Sequence, residues 1–151
     1  MTEEPLTMHL LDTNVISELR PGKRGQSPEV RAWAAAKAFD TLYLSSVTML
    51  ELRIGVERKA RQDAAQGAVL KAWVEALEDQ FDGRILPFTL RGARLCAPWH
   101  VPDPQPWRDS QIAATAKEHG LSLVTRNVGD FQGLDVQLIN PWMPAEPMPR
   151  A

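Results

Sequence analysis

The chain has 151 residues, 44% of them hydrophobic and 24% charged, and a formal net charge of -2. That length suits one domain with a true core, and the single cysteine, Cys96, excludes both an internal disulfide and a multi-cysteine zinc site. The negative balance is unfavourable for a nucleic-acid binder unless a local cluster or a partner supplies basic charge. An acidic start without a signal-like apolar run, and no stretch near the roughly 20 apolar residues that span a bilayer, predict a cytoplasmic protein without a membrane partner.

Residues 1–7 are expected as a tail. Leu10 opens a short strand that stops at Asp12, and Val15 to Leu19 starts a short helix before the basic, flexible loop Arg20 to Gly25. Pro28 suits the first turn of a helix through Val30, Trp33, Ala34 and Lys37, and Thr41 to Ser45 reads as a second strand. Val47 to Arg58 and Ala64 to Phe81 have helical spacing and form an expected antiparallel pair, the second with Val69, Trp73, Ala76 and Leu77 on one face. Gly83 ends that helix, Arg84 to Phe88 is a third strand, and Leu90 to Trp99 is a weaker helix running into the proline-rich loop Pro98 to Pro106.

Asp109 to His119 is an alanine-rich helix closed by Gly120. Leu121 to Thr125 and Val136 to Ile139 are the last two strands, with a turn at Gly129 to Phe131 between them. A domain over 8–143 and a second tail at 144–151 complete the chain. Strands alternating with helices predict an α/β fold, a mainly parallel five-stranded sheet flanked by helices on both faces.

Ligands of such sheets sit outside the carboxyl ends of the strands. Asp12 ends the first strand, Glu51 lies early in the helix after the second, Asp109 opens the helix before the fourth, and Asp130 follows the fourth. Asp12, with Thr13 and Asn14, also makes a good helix cap, so local punctuation is the competing reading. At about 100° per residue, Glu51 falls on the stripe of Val47, Leu50 and Ile54, and Asp109 on that of Ile112, Ala113 and Ala116.

Carboxylates about 5 Å apart repel by about 3 kcal/mol at an effective dielectric near 20, so a gathering of four needs a cation. Arg53 and Arg126 are the candidate basic partners of a purely structural cluster. Hard oxygen ligands without His or Cys otherwise suit Mg2+ or Mn2+ better than zinc.

The runs Leu11-Asp12-Thr13-Asn14-Val15-Ile16-Ser17-Glu18-Leu19, Leu50-Glu51-Leu52, Asp109 before Ile112-Ala113-Ala114-Thr115-Ala116, Thr125-Arg126-Asn127-Val128-Gly129-Asp130-Phe131 and Asn140-Pro141-Trp142 resemble, in order, the PIN-domain nucleases of the VapC/FitB toxin type. The resemblance implies a PIN-like single domain and an Mg2+- or Mn2+-dependent endoribonuclease leaving 5′-phosphate and 3′-hydroxyl ends. It places the family's acids on Asp12, Glu51 and Asp109. The fourth falls on Asp130, with Asn127 as a neutral helper where some members carry an acid. Thr13, Asn14 and Thr125 are the expected supporting residues, and the proline-rich approach to Asp109 is unusual for the family.

It further implies a cognate antitoxin with a DNA-binding domain, and a homodimer. Candidate RNA contacts are Lys23, Arg24, Arg53 and Arg126, joined by Arg20 and by the loop aromatics Trp99 or Trp107. Trp33 and Trp73 are assigned to the core. The rival reading is a FitB-like subunit of an antitoxin–operator DNA complex with weak or no nuclease activity. A metal-dependent phosphatase is disfavoured because Asn14 stands where a second aspartate of an Asp-x-Asp pair would be.

Overall fold

The computed structural model describes residues 7–143, so the two expected tails lie outside the described residues except for Thr7. The elements are β1 (His9–Leu11), α1 (Thr13–Glu18), α2 (Pro28–Ala35), β2 (Leu42–Ser45), α3 (Ser46–Gln62), α4 (Ala64–Gln80), β3 (Ile85–Leu86), α5 (Leu90–Cys96), α6 (Trp107–Glu118), β4 (Ser122–Val124) and β5 (Leu138–Ile139). Short 3-10 turns lie at Phe39–Thr41, Ala97–His100 and Val128–Phe131.

The five strands form a wholly parallel sheet in the order β3-β2-β1-β4-β5. Successive strand residues point to opposite faces, and β1 uses this to serve two cores. Leu11 packs with Val15, Val30, Val74 and Phe81 on one side, while Leu10 packs with Ile112, Ala113, Leu123 and Phe131 on the other. Helices therefore cover both faces, as expected. The chain leaves β1 toward β2 on one side and returns through β4 on the other, which puts the topological switch between the carboxyl ends of β1 and β4.

Side-chain caps set most helix starts. Ser27 accepts from Val30 N ahead of Pro28, Ser45 from Thr48 N, and Thr89 from Gly92 N. Asp63 ends α3 and caps α4 through Gln66 N, so α3 runs four residues beyond its expected end at Arg58. Lys59 and Arg61 in its last turn favour that extension by facing the negative end of the helix dipole.

Two expected stripes are corrected. Val69 and Ala76 of α4 face solvent, and the side turned toward the core carries Gly67, Leu70, Val74 and Leu77. A Cβ at Gly67 would stand 2.6 Å from Ala60 Cα, so the two helices meet backbone to backbone there, and that contact sets the rotation of α4. On α3, Leu50 is 54% exposed and the buried arc is Val47, Thr48, Met49, Leu52 and Val56. Glu51 thus sits at the border of that arc rather than on an inward stripe, because α3 serves both cores, Val47 one and Met49, Leu52 and Val56 the other.

Strands β3 and β5 are shorter than expected. Both are edge strands, and Pro87, lacking an N–H, follows β3 at once. Helix α6 begins at Trp107, two residues before its expected start, which puts Asp109 within its first turn.

His9 lies on β1, 3% exposed, with Nδ1 unpartnered and its ring edge-on to Trp33 at 5.2 Å. Burial, and secondarily the nearby Lys37, hold its pKa below the ordinary value. The native state thus keeps His9 neutral while the unfolded chain takes up a proton below about pH 6.5, so stability falls with pH from there down to the depressed native value. Urea unfolding between about pH 7.5 and about pH 5 should show a steeper loss for the natural protein than for His9→Leu; parallel curves would refute the assignment.

Candidate metal centre and adjoining cleft

Asp12 sits at the switch point. Its backbone N donates to Val124 O at 2.9 Å, locking the end of β1 to the end of β4. Its Oδ1 accepts from Thr13 N at 2.8 Å, while Oδ2 accepts from the Thr125 hydroxyl at 2.8 Å and from Asn14 Nδ2 at 3.4 Å. The capping reading and the site reading therefore both hold for this residue. Although these hydrogen bonds favour the carboxylate, burial outweighs them and raises its pKa, with Asp130 adding to the rise.

Each supporting residue expected from the sequence has a distinct contact. Thr125 Oγ1, its proton given to Asp12, accepts from Asn127 N at 3.1 Å. Asn14 bridges the two chain segments, since its Oδ1 also accepts from Arg126 N at 3.2 Å. Thr13 Oγ1 lies 3.0 Å from Thr48 Oγ1 and donates to Glu51 Oε1 at 3.2 Å. Asn127 contributes through its backbone, its carbonyl accepting from Asp130 N at 3.0 Å in the 3-10 turn.

The other acids answer to one another through space. Glu51 is raised first by burial and then by Asp12 and Asp109, against the opposing effects of the Thr13 hydrogen bond and Arg108. Asp109 is raised by burial, then by Asp12 and Asp130. Asp130 is exposed at the rim. Among the described residues none of the four acids makes a salt bridge, so the structural cluster with Arg53 and Arg126 does not form.

Among the described residues, no three His, Cys, Asp or Glu side chains already stand close enough to hold a metal ion. The donor set nevertheless fits a hard divalent cation. It is all oxygen, its four acids make no salt bridge among the described residues, and an ion would offset the burial, and secondarily the mutual repulsion, that raise the pKa values of Asp12, Glu51 and Asp109.

A cleft of about 380 Å³ adjoins Thr13 and Glu51, and Arg20, Lys23, Arg58 and Arg108 line it. Arg58 and Arg108 were not singled out in the sequence, nor was Thr48. Arg108 had one available signal, its position beside Asp109 in the same helical turn; Thr48 had another, three residues before Glu51 on one helix face. Arg20, Arg58 and Arg108 make no salt bridge among the described residues.

The expected basic contacts separate. Lys23 lines the cleft and pairs with buried Glu18, which also accepts from Ser27 N at 2.8 Å. Gln26 Nε2 adds bonds to Glu18 O and Arg20 O, so the loop expected to be flexible is tied to α1. Arg24 is exposed. Arg53 pairs with Glu78 at 2.7 Å across α3 and α4, and Arg126 stands over the Trp142 ring at 5.2 Å. Trp33, Trp73 and Trp99 pack against the cores, whereas Trp107 is 73% exposed.

No helix among the described residues is long and apolar enough to cross a membrane. The PIN domain family matches residues 9–135. The chain is 37% identical over 150 residues to VapC ribonuclease Y4jK of Sinorhizobium fredii, covering 91% of this chain and 100% of the relative. It is 40% identical over 146 residues to toxin FitB of Neisseria gonorrhoeae, covering 89% of this chain and 99% of that one. Among solved structures, a chain of FitAB bound to an IR36 DNA fragment superposes with a TM-score of 0.77 at 36% identity, over 92% of this chain and 99% of that one. By these similarities the chain belongs to the PIN-domain family, in its VapC/FitB branch.

Proposed function

We propose that this protein is a divalent-metal-dependent endoribonuclease, Mg2+ or Mn2+ serving as the ion, and the toxin of a toxin–antitoxin pair. The observation that carries the reading is the buried Asp12 carboxylate, held at the switch point with Glu51, Asp109 and Asp130 within electrostatic reach. The relatives' names, a VapC ribonuclease and a toxin FitB, support the substrate class and the toxin role.

In this reading Asp12 and Asp109 hold the ion, and Glu51 and Asp130 complete the site or orient water. A bound divalent ion supplies a nucleophile from water and offsets charge on the scissile phosphate, giving 5′-phosphate and 3′-hydroxyl products. Thr125 and Asn14 aim Asp12, Thr13 aims Glu51, and the backbone of Asn127 fixes both Thr125 and the turn that carries Asp130. Arg20, Lys23, Arg58 and Arg108 place basic charge on one side of the acids, where the backbone of single-stranded RNA would lie, and exposed Trp107 offers a stacking surface.

The protein would act in the cytoplasm as a homodimer restrained by an antitoxin bearing a DNA-binding domain. Solved relatives in complexes such as FitAB on DNA support that partner. The net charge of -2 favours a division of labour in which the antitoxin, not this chain, supplies the basic surface for operator DNA.

Incubation with defined RNAs and Mg2+ or Mn2+ tests the main claim. Asp12→Asn should lose more than the roughly 100-fold that removal of an outer-shell partner costs; equal cleavage by both proteins, or none by either, would refute it. In the Asp12→Asn background, Arg108→Ala should weaken RNA binding and lower the salt slope by about 0.7, the value for one single-strand phosphate contact, whereas Arg53→Ala leaves the slope unchanged. A slope unaffected by Arg108→Ala would remove it from the RNA path.

Asp109→Asn removes one of the mutually repelling charges. In chelator it should stabilise the fold by up to about 1 kcal/mol after solvent screening, and the stabilisation that Mn2+ gives the natural protein should shrink. Thermal unfolding with and without the ion measures both. A variant less stable in chelator would contradict the repulsion argument.

A further inference from the structure

The proline-rich segment that precedes α6 has no part in the function proposed above. It leads into a helix whose first turn carries Arg108 and Asp109, and whose cap position is Pro106, with no side-chain hydrogen bond to the opening amides. The first amides of a helix lack partners within it. An uncapped turn is a poor mount for a residue whose aim matters.

His100 holds this turn from its flank, through Gln105 ahead of the cap and Ser110 within the helix, and leaves the opening amides as they are. Its Nδ1 accepts from Gln105 N at 3.2 Å, and its Nε2 lies 2.9 Å from Ser110 Oγ. Ser110 in turn donates to Trp107 O at 2.9 Å and is 1% exposed. The tautomer follows from this chain of bonds: an acceptor at Nδ1 requires the proton on Nε2, and Ser110, its own proton given to Trp107 O, accepts it.

The same ring faces Trp107 at 5.5 Å and has Cys96 Sγ 3.6 Å from Nε2. One imidazole therefore joins the end of α5, the proline-rich segment and the first turn of α6. Part-buried hydrogen bonds that tie three segments to one ring restrict how far the groups they join can turn.

We infer that His100, acting through Ser110, is a positioning residue for Asp109, and that the proline-rich segment serves to bring it there. This rests on the reading of Asp109 as a metal-holding residue. His100→Phe keeps an aromatic ring beside Trp107 and removes both hydrogen bonds. His100→Gln retains an acceptor and a donor at about the spacing of the two ring nitrogens, and Ser110→Ala breaks the network from the other side.

Mn2+ binding by calorimetry, steady-state RNA cleavage and hydrogen exchange at the partnered amides of residues 105, 110 and 111 form the test. His100→Phe and Ser110→Ala should each bind Mn2+ about tenfold more weakly and lose about tenfold in kcat at unchanged KM, with faster exchange confined to the amides of 105, 110 and 111. His100→Gln should recover most of each loss. Unchanged Mn2+ affinity and kcat in His100→Phe, or a Gln variant as impaired as the Phe variant, would overturn the inference. If His100→Phe does not fold, Ser110→Ala, which deletes one oxygen, decides by the same criteria. If the natural protein neither binds Mn2+ nor cleaves RNA, the nuclease reading fails and exchange alone decides: faster exchange in Phe and not in Gln upholds the clamp, and equal exchange overturns it.

Discussion

The molecule is organised around a carboxylate kept where water would rather have it. Asp12 is 5% exposed, and hydrogen bonds of its backbone and its carboxylate bind the ends of β1 and β4 to the start of α1. A buried charge is tolerated only with such partners. The groups that donate to its carboxylate, Thr13 N, Asn14 Nδ2 and the Thr125 hydroxyl, are all neutral, and the charged neighbour that acts on it is itself an acid, Asp130. The fold stabilises the shape of the site while leaving its charge unbalanced.

The rest of the architecture can be read from that constraint. Parallel strands place all their carboxyl ends on one edge, and the change of direction between β1 and β4 opens room there. Glu51 arrives early in α3, Asp109 in the first turn of α6 and Asp130 in the 3-10 turn after β4. Hydroxyl and amide groups from neighbouring elements then restrict how far Asp12 and Glu51 can turn. Basic residues gather in the adjoining cleft, where Glu51 alone of the four acids joins the lining.

Much of this was legible in the chain because it is encoded locally. Strand–helix alternation, a cap residue ahead of most helices and the break at Gly83 are short-range signals, and they located nearly every element. The four acids could be proposed together because each lies next to a strand or helix boundary. Errors arose where an element faces more than one neighbour. The α3 stripe was read through Leu50 although that helix serves two cores, and the α4 face was misjudged because Gly67 against Ala60, a contact between helices, sets its rotation. The roles of Arg53 and Arg58 differ for the same reason. Both are helical arginines in sequence, yet one meets Glu78 and the other a cleft.

By itself the sequence determined the fold class and the family and proposed the set of acids, since periodicity, capping residues and short motifs act over a few positions. Tertiary structure alone decided which acids influence one another, which cations stay free of an acidic partner, and that the loop after α1 is pinned by Glu18. It also decided that His100 and Ser110 meet ahead of Asp109. Those outcomes depend on packing between distant segments, where a single backbone contact or buried hydrogen bond selects an orientation that no local pattern specifies.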